Sequence, residues 1–577
     1  MTEHISLRFA NVSCHVHTIS FRHRLKKILK NVSGNFNGGE LTAIVGPSGS
    51  GKSTLLDCLS GFRRTNVSGK FIVDGNEISI DDIRQMSSYV MQDQSLHIHL
   101  TVREIMALSL NLRDKQNLSD AAKKNKIFNV FETLGIERKC ETVMTELSGG
   151  ERKRVQIAIE LVNDPKILFV DEATTGLDCV ASTRCIEYLK KLALEGRTII
   201  CTIHQPSASI LKLFDQIYAI ANGSCIYQGS STKLLEFLND IELPCPSTYN
   251  PIDFLLEIAN DCYGEQSEKL IQKIENGKNF DYCNVKEKYE NFILSEVNYH
   301  QSSSYSKQVY YLLKRTFLTT SRDMTIFTFR YFFHLILGLT FGLMYHDMGN
   351  RGEYMLNNYK YLVLSVVILV YTSYYSIYFQ FLHEFSIVKR EYFNGWYSTE
   401  AYYTALILFD VPMTLICCTT YVSITYWLTN QPAEFYRYIL FLSFIILMSF
   451  ASQSLGVMFS SVLDIKTATT FSFMFLLPFI VLSGILIVTS HTPEFFKFFF
   501  DFNFLDSTLK GVLNSVLGLG RRKAECDDLY CHLVEPGKLL SDFGAVIDIS
   551  RAFKVILIYI VICQIISYLI IRYRLRK

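Results

Sequence analysis

No Cys-x-x-Cys pair occurs among the 15 cysteines, which argues against a zinc site. Net charge is only +2 over 577 residues, so the electrostatic case for a nucleic-acid partner is missing. Residues 1–11 hold no apolar run of signal-peptide length, and the first half is expected to stay in the cytosol. Internal repeats and low-complexity tracts are missing as well. The last absence is local. Residues 1–300 are mixed and charged, whereas 326–572 carry long apolar, aromatic-rich segments with few ionisable groups. About 20 apolar residues cross a bilayer core, so this second half reads as membrane-spanning.

What is present begins at 41–54, Leu-Thr-Ala-Ile-Val-Gly-Pro-Ser-Gly-Ser-Gly-Lys-Ser-Thr. An apolar run ends in Gly46, Pro47, Ser48, Gly49, Ser50 and Gly51, and Lys52, Ser53 and Thr54 open a helix. Strand, glycine-rich loop and helix form the context in which this pattern binds phosphate. Glycines let backbone N–H groups and the helix N-terminus point at a polyphosphate. Lys52 would reach the β- and γ-phosphates, and the Ser53 hydroxyl would meet Mg²⁺.

Other signals follow in order. Residues 5–12 alternate like a half-buried strand, and 69–78 read as strand, Asp74-Gly75 turn, strand. Gln92 ends a short strand. At 147–154, Leu-Ser-Gly-Gly-Glu-Arg-Lys-Arg, Ser148 is a helix N-cap, and Gly149 and Gly150 keep the new N–H groups open to a phosphate. The apolar run 167–170 ends in Asp171 and Glu172, at the strand edge where α/β sheets bind ligands. Asp178 and then His204, at the end of another apolar run, complete the series. Alone, Gln92 reads as a surface residue and His204 as a satisfied structural histidine; the order of the set carries the meaning.

That order closely resembles the ATP-binding cassette (ABC) ATPases over roughly residues 5–260. The resemblance implies an α/β P-loop ATPase domain with a RecA-like core plus helical and β subdomains. It also implies two cassettes facing head to tail, each ATP held by Lys52 of one and by Ser148 and Gly150 of the other. Asp171 would hold Mg²⁺ with Ser53 and Gln92, Glu172 would be the general base, and Gln92 and His204 would sense the γ-phosphate. The adenine contact falls early, with His17 and Phe21 as candidates beside plain surface readings.

Residues 261–300 read as a polar linker with some helix, and 301–325 as a connecting segment whose residues 306–320 form an amphipathic helix on the inner membrane surface. Six spans are expected at about 326–345, 359–381, 404–428, 436–460, 468–488 and 553–572, an all-α membrane domain within 326–577. Lys389 and Arg390, Lys466, and Arg572 to Lys577 place the inner loops and both termini in the cytosol, with Arg521-Arg522-Lys523 as the exception.

A cassette followed by six spans narrows the resemblance to the G-subfamily half-transporters, exporters of sterols, lipids, pigment precursors or drugs. Residues 382–403 look like that family's inner coupling loop, with Glu384, Arg390 and Glu391 facing the cassette or the surface helix; a solvated charged loop is the plainer alternative. Tyr371, Thr372, Tyr375, Phe475 and Phe479 would line a substrate cavity, although helix packing explains them equally well. Asp410, near the start of the third span, would reach water or a basic partner. In the outer segment 489–552, residues 495–519 resemble short re-entrant helices, and Cys526 and Cys531 suggest a local disulfide on the oxidising side.

The expectation is therefore an ATP- and Mg²⁺-dependent exporter in the plasma membrane, half of a homo- or heterodimer, with no nucleic acid involved. The uncharged, aromatic lining points to sterol or lipid cargo. An ATP-gated channel or regulatory receptor is the rival, and it would need polar residues along its spans, which show almost none. Topology is testable by glycosylation. All five Asn-x-Ser/Thr sites, Asn11, Asn31, Asn66, Asn117 and Asn222, lie in the cassette half. Endoglycosidase should leave the protein's mass unchanged, and an acceptor inserted within 532–540 should gain a glycan. A glycan mapped to any native site overturns the orientation.

Overall fold

A computed structural model describes residues 5–576, apart from 18–24, 93–95, 115–116, 205, 247–248, 261, 264–265, 284–302, 464–466, 468–469, 485–492 and 527–532. The chain divides into two compact units, Met1–Tyr311 with Lys389–Ser398, and Leu312–Val388 with Thr399–Arg576.

In the first unit, ten strands form two sheets: β1 (Leu7–His17), β2 (Leu25–Phe36), β3 (Leu41–Val45), β4 (Val67–Val73), β5 (Asn76–Ile78), β6 (Ser87–Val90), β7 (Ile167–Val170), β8 (Thr198–Thr202), β9 (Gln216–Ala221) and β10 (Ser224–Ser230). The order β10-β9-β3-β8-β7-β6 makes a sheet that is parallel except for β10. Every residue of β3, β7 and β8 is buried, as expected of parallel strands covered on both faces. The order β2-β1-β4-β5 makes an antiparallel sheet. Helices Val102–Arg113, Asp120–Leu134 and Gly149–Leu161 pack together, the first and third opened by capping boxes at Thr101 and Ser148. The five acceptor-pattern asparagines all have φ near +50°, from 48° to 59°, a turn conformation asparagine tolerates better than most residues.

This unit continues past the expected boundary at 260. Helix Ser267–Ile274 belongs to it, and Asn276 ties the segment down. Its Nδ2 donates to the Lys30 and Asn31 carbonyls at 2.8 and 3.0 Å, and its Oδ1 accepts from Cys225 N at 2.8 Å.

The second unit is helical. Five helices are long and apolar enough to cross a membrane among the described residues: Thr325–Met344, Gly352–Phe393, Thr399–Leu428, Phe435–Val462 and Ile549–Arg576. Within the expected 468–488 span, the described residues 470–484 hold two short pieces, Ser472–Phe475 and Leu477–Val481; 468–469 and 485–488 lie outside the described residues. Helix Tyr305–Arg322 matches the expected connecting helix. A Cβ on Gly456 would lie 2.8 Å from the Tyr374 carbonyl oxygen, so the two helix backbones approach as closely as small residues permit. Within 489–552, helix Phe504–Leu517 is almost wholly buried, while Glu494–Phe502 exposes Phe495, Phe498 and Phe502. Cys526 is disulfide-bonded; Cys531 lies outside the described residues.

Asp410 finds the basic partner. Its Oδ1 is 2.7 Å from Arg330 Nη1, and its Oδ2 accepts from Thr414 Oγ1 (2.8 Å) and Gln453 Nε2 (2.6 Å). Four spans share the network, because His334 Nδ1 lies 2.7 Å from the Arg330 carbonyl and Nε2 3.2 Å from Thr372 Oγ1. Asp410→Ala leaves a buried guanidinium unpaired and should lower stability by about 3–5 kcal/mol. Arg330→Met with Asp410→Leu should cost less than Asp410→Ala alone. Thermal unfolding in detergent measures both, and an unchanged melting point for Asp410→Ala refutes the pairing.

Candidate functional site

The phosphate loop leaves β3 and enters helix Lys52–Ser60. Gly46 is required by space, since a Cβ there would meet the Ile220 carbonyl oxygen at 2.2 Å. Gly49 and Gly51 have φ of +77° and +107°, open only to glycine at little cost. Lys52 folds back over the loop and donates to the Gly46 and Pro47 carbonyls at 2.7 and 2.9 Å. Burial pulls its ammonium below the ordinary lysine pKa, against Glu172 and Asp171, which act to raise it. Ser50 Oγ is buried without a hydrogen-bond partner among the described residues, an orphan that a phosphate oxygen would satisfy.

Asp171, the residue after β7, is 5% exposed. Its Oδ1 accepts from Ser53 Oγ at 3.2 Å and from Thr202 Oγ1 at 2.6 Å. One carboxylate and one hydroxyl, both hard oxygen donors, suit a Mg²⁺ that keeps its remaining ligands from phosphate and water. Glu172 follows with φ +48°, uncommon for a residue with a side chain, and its Oε2 accepts from Gln92 Nε2 at 2.8 Å. The peptide between the two carboxylates is held at both edges. Lys153 Nζ donates to the Asp171 carbonyl at 3.0 Å, and Glu172 N donates to Thr202 Oγ1 at 2.7 Å. Lys52, Ser53, Asp171, Glu172 and Gln92 thus gather at one place. His204 stands two residues beyond Thr202 and is exposed.

Ser148, Gly149 and Gly150 form a second locus. Ser148 and Gly149 are exposed at the N-terminus of helix Gly149–Leu161. A Cβ on Gly149 would sit 3.3 Å from the Gly176 carbonyl and one on Gly150 2.9 Å from Ala181 Cβ. Asp178 caps the neighbouring helix Cys179–Leu194, its Oδ1 accepting from Ala181 N at 2.6 Å.

Residues Lys389–Ser398 pack within this same unit. Asn394 pairs with the backbone of Tyr89 in β6, Tyr89 N to Oδ1 at 2.9 Å and Nδ2 to Tyr89 O at 3.0 Å. Arg84 donates to the Phe393 and Tyr392 carbonyls at 2.8 and 2.9 Å. Glu391 is fully buried, accepts from Tyr397 Oη at 2.8 Å, and lies 3.5 Å from both Arg390 and His97. Trp396 Nε1 reaches Glu160, which also pairs with Arg113 at 2.9 Å. A solvated loop is therefore the wrong description of 389–398. Glu384 belongs to the second unit and is partly exposed.

Among the cavity candidates, Tyr371 stacks on Tyr375 and Phe473 at centroid distances of 6.2 and 5.6 Å, and Tyr375 on Phe379 at 5.7 Å. Phe475 stacks on Phe459 at 4.5 Å, and Phe479 packs on Phe504 and Tyr559. Thr372 is taken up by His334. Sequence reading passed over Lys153, Thr202, Arg330, His334, Asn394 and Trp396. Only Thr202 gave a local sign, as a polar residue near the carboxyl end of an apolar strand.

Family models match three stretches: "ABC transporter" at residues 29–175, and "ABC-2 type transporter" at 307–517 and, in a second form, at 204–276. "ABC transporter G family member 21" of Arabidopsis thaliana is 30% identical over 81% of this chain and 74% of its own. "Protein scarlet" of Drosophila melanogaster is 30% identical over 82% and 74%. "ABC transporter ATP-binding protein/permease wht-1" of Caenorhabditis elegans is 29% identical over 82% and 75%.

Gly46→Ala should deform the phosphate loop and weaken ATP binding by about tenfold to a hundredfold, from a strain of order 1–3 kcal/mol. Gly49→Ala meets no atom within 4 Å and should lose only what a φ of +77° costs alanine, about 1–2 kcal/mol, without the added clash at Gly46. Fluorescent-nucleotide titration separates them, and equal affinities refute the steric reading.

Proposed function

Because the chain belongs to the ABC transporter G family, we propose that it pairs with a second half-transporter and exports a sterol or lipid across the plasma membrane. Its standing as a multi-pass half-transporter whose cassette couples ATP hydrolysis to transport is the premise. The pairing, the cargo and the residue roles are the proposal.

Two cassettes would face head to tail. Gly46 to Thr54 of one chain would wrap the phosphates, with Lys52 on the β- and γ-phosphates, and Ser148, Gly149 and Gly150 of the other would close on the same nucleotide. Ser53, Asp171 and Gln92 would hold Mg²⁺, which supplies charge neutralisation on the phosphates when bound. Glu172 would take the proton of the attacking water, oriented by Gln92. His204 would meet the γ-phosphate, and Asp178 would border the cassette interface. Closure would reach the spans through Arg390 and Glu391, and through Glu384 beyond them. The Tyr371–Tyr375–Phe379 face offers apolar, aromatic surface, which supports a hydrophobic cargo. Both termini would lie in the cytosol, and Cys526 would pair with Cys531.

The observation that carries this reading is the bond between Gln92 and Glu172, at the end of a strand whose Tyr89 holds Asn394. One short path joins the hydrolytic carboxylate to Lys389–Ser398. Glu172→Gln should bind ATP normally and lose about 10²–10⁴-fold in turnover, with loss of sterol or lipid export from reconstituted vesicles. Near-normal hydrolysis removes Glu172 as the base. Chains carrying Lys52→Ala mixed with chains carrying Ser148→Arg should recover one intact composite site; full activity from a verified monomer sinks the pairing.

A further inference from the structure

The proposed role of Glu172 leaves a question about how its carboxylate is aimed. A peptide group is planar, so fixing both of its edges fixes its plane. The Asp171–Glu172 peptide is fixed in that way, its carbonyl by the Lys153 ammonium and its N–H by the Thr202 hydroxyl. The φ of Glu172, +48°, is the rotation that sets the Glu172 side chain relative to that plane. Backbones of this kind persist only where surrounding bonds over-determine them. Lys153 is 2% exposed, so a charged side chain has been brought into the interior to make a bond to a neutral carbonyl. Its neighbours in the sequence, Arg152 and Arg154, turn elsewhere, to the Met144 carbonyl and to the Gly150 and Leu134 carbonyls.

We infer that Lys153 is a positioning residue for hydrolysis: it clamps the Asp171–Glu172 peptide and holds Glu172 in the left-handed backbone that aims its carboxylate. This rests on Glu172 being the base. Lys153 rides on helix Gly149–Leu161, the same helix whose N-cap, Ser148, would close on the partner's nucleotide. The helix that engages one ATP therefore carries the clamp on the base serving the other.

The test compares full-length protein in lipid vesicles: wild type, Lys153→Met, Lys153→Arg, and each with Glu172→Gln. ATP affinity, kcat, KM and the melting point are read for all. Lys153→Met should bind ATP within about threefold of wild type and lose about 10–100-fold in kcat, the scale of a misplaced catalytic group. Lys153→Arg should recover most of that loss. In the Glu172→Gln background, Lys153→Met should lower the residual rate no further, because the group it aims is already gone. Wild-type kcat in Lys153→Met overturns the inference. So does a loss that arginine leaves untouched, or one of the same factor with and without Glu172. If the methionine variant does not fold, Lys153→Gln, uncharged and one atom too short to reach the carbonyl, takes its place and is judged by the same criteria. Normal turnover in Lys153→Met beside an inactive Glu172→Gln counts against the clamp alone; normal turnover in Glu172→Gln removes the functional reading beneath it as well.

Discussion

Asp171 Oδ1 accepts two hydroxyls, one from Ser53 at the start of the phosphate-loop helix and one from Thr202 at the end of β8. That single oxygen ties together three elements far apart in the chain. It sits at the carboxyl edge of a parallel sheet, where strands end and ligands bind. The strands leading to it are buried along their whole length, so the edge has little freedom to shift. Lys52 leans over the same edge with its charge spent on two loop carbonyls, the nearest acceptors to a buried ammonium. A polyphosphate would replace neutral carbonyls by charged oxygens and so recruit that ammonium without moving the loop.

The second unit solves the opposite problem, a chain whose outer solvent takes up no polar group. Several of its charged and polar side chains turn inward and pair: Arg330 with Asp410, Asn358 with Gln431. Arg437, 1% exposed, donates to the carbonyls of Ser515, Gly518 and Leu519 and so satisfies the end of helix Phe504–Leu517. Unpaired groups of this kind cost several kcal/mol in hydrocarbon. Outward faces are left to Ile326, Phe329, Ile336 and similar residues.

That Lys52, Ser53, Gln92, Asp171 and Glu172 would come together was legible because each stands in a local pattern: a loop, a strand end and a helix start are each a few residues of one stretch. What was not legible depends on pairing across distance. Arg330 lies 80 residues before Asp410, and no periodicity links them. Lys153 stands in a run of three basic residues, Arg152-Lys153-Arg154, and composition gives no reason for the middle one alone to turn inward. Residues 389–398 look like a charged loop because their partners, Arg84, Tyr89, His97 and Glu160, come from earlier elements. The aromatic residues of the second span were legible as one face but not by depth of burial. Tyr374 and Tyr378 are fully buried, while Tyr371 and Tyr375, beside them on the same face, are half-buried and stack on each other.

Ser148 shows what closing two cassettes would have to overcome. Its hydroxyl accepts from Glu151 N, while its own backbone N–H and hydroxyl both donate to Glu151 Oε2, at 3.0 Å each. The helix N-terminus is thus already satisfied by a carboxylate of its own chain. A phosphate arriving from a partner's nucleotide brings more negative charge to the same donors, and the two anions repel at such spacing. In the proposed pairing Glu151 would have to swing out for Ser148 to turn to the phosphate. Losing a cap of this type costs about 0.5–2 kcal/mol, while a charge-assisted bond to phosphate is roughly twice as strong as a neutral one. The exchange favours closure only when the incoming group is fully charged and well placed. In the proposed pairing, a helix that caps itself in this way would favour a partner site that presents a well-placed phosphate over one that does not.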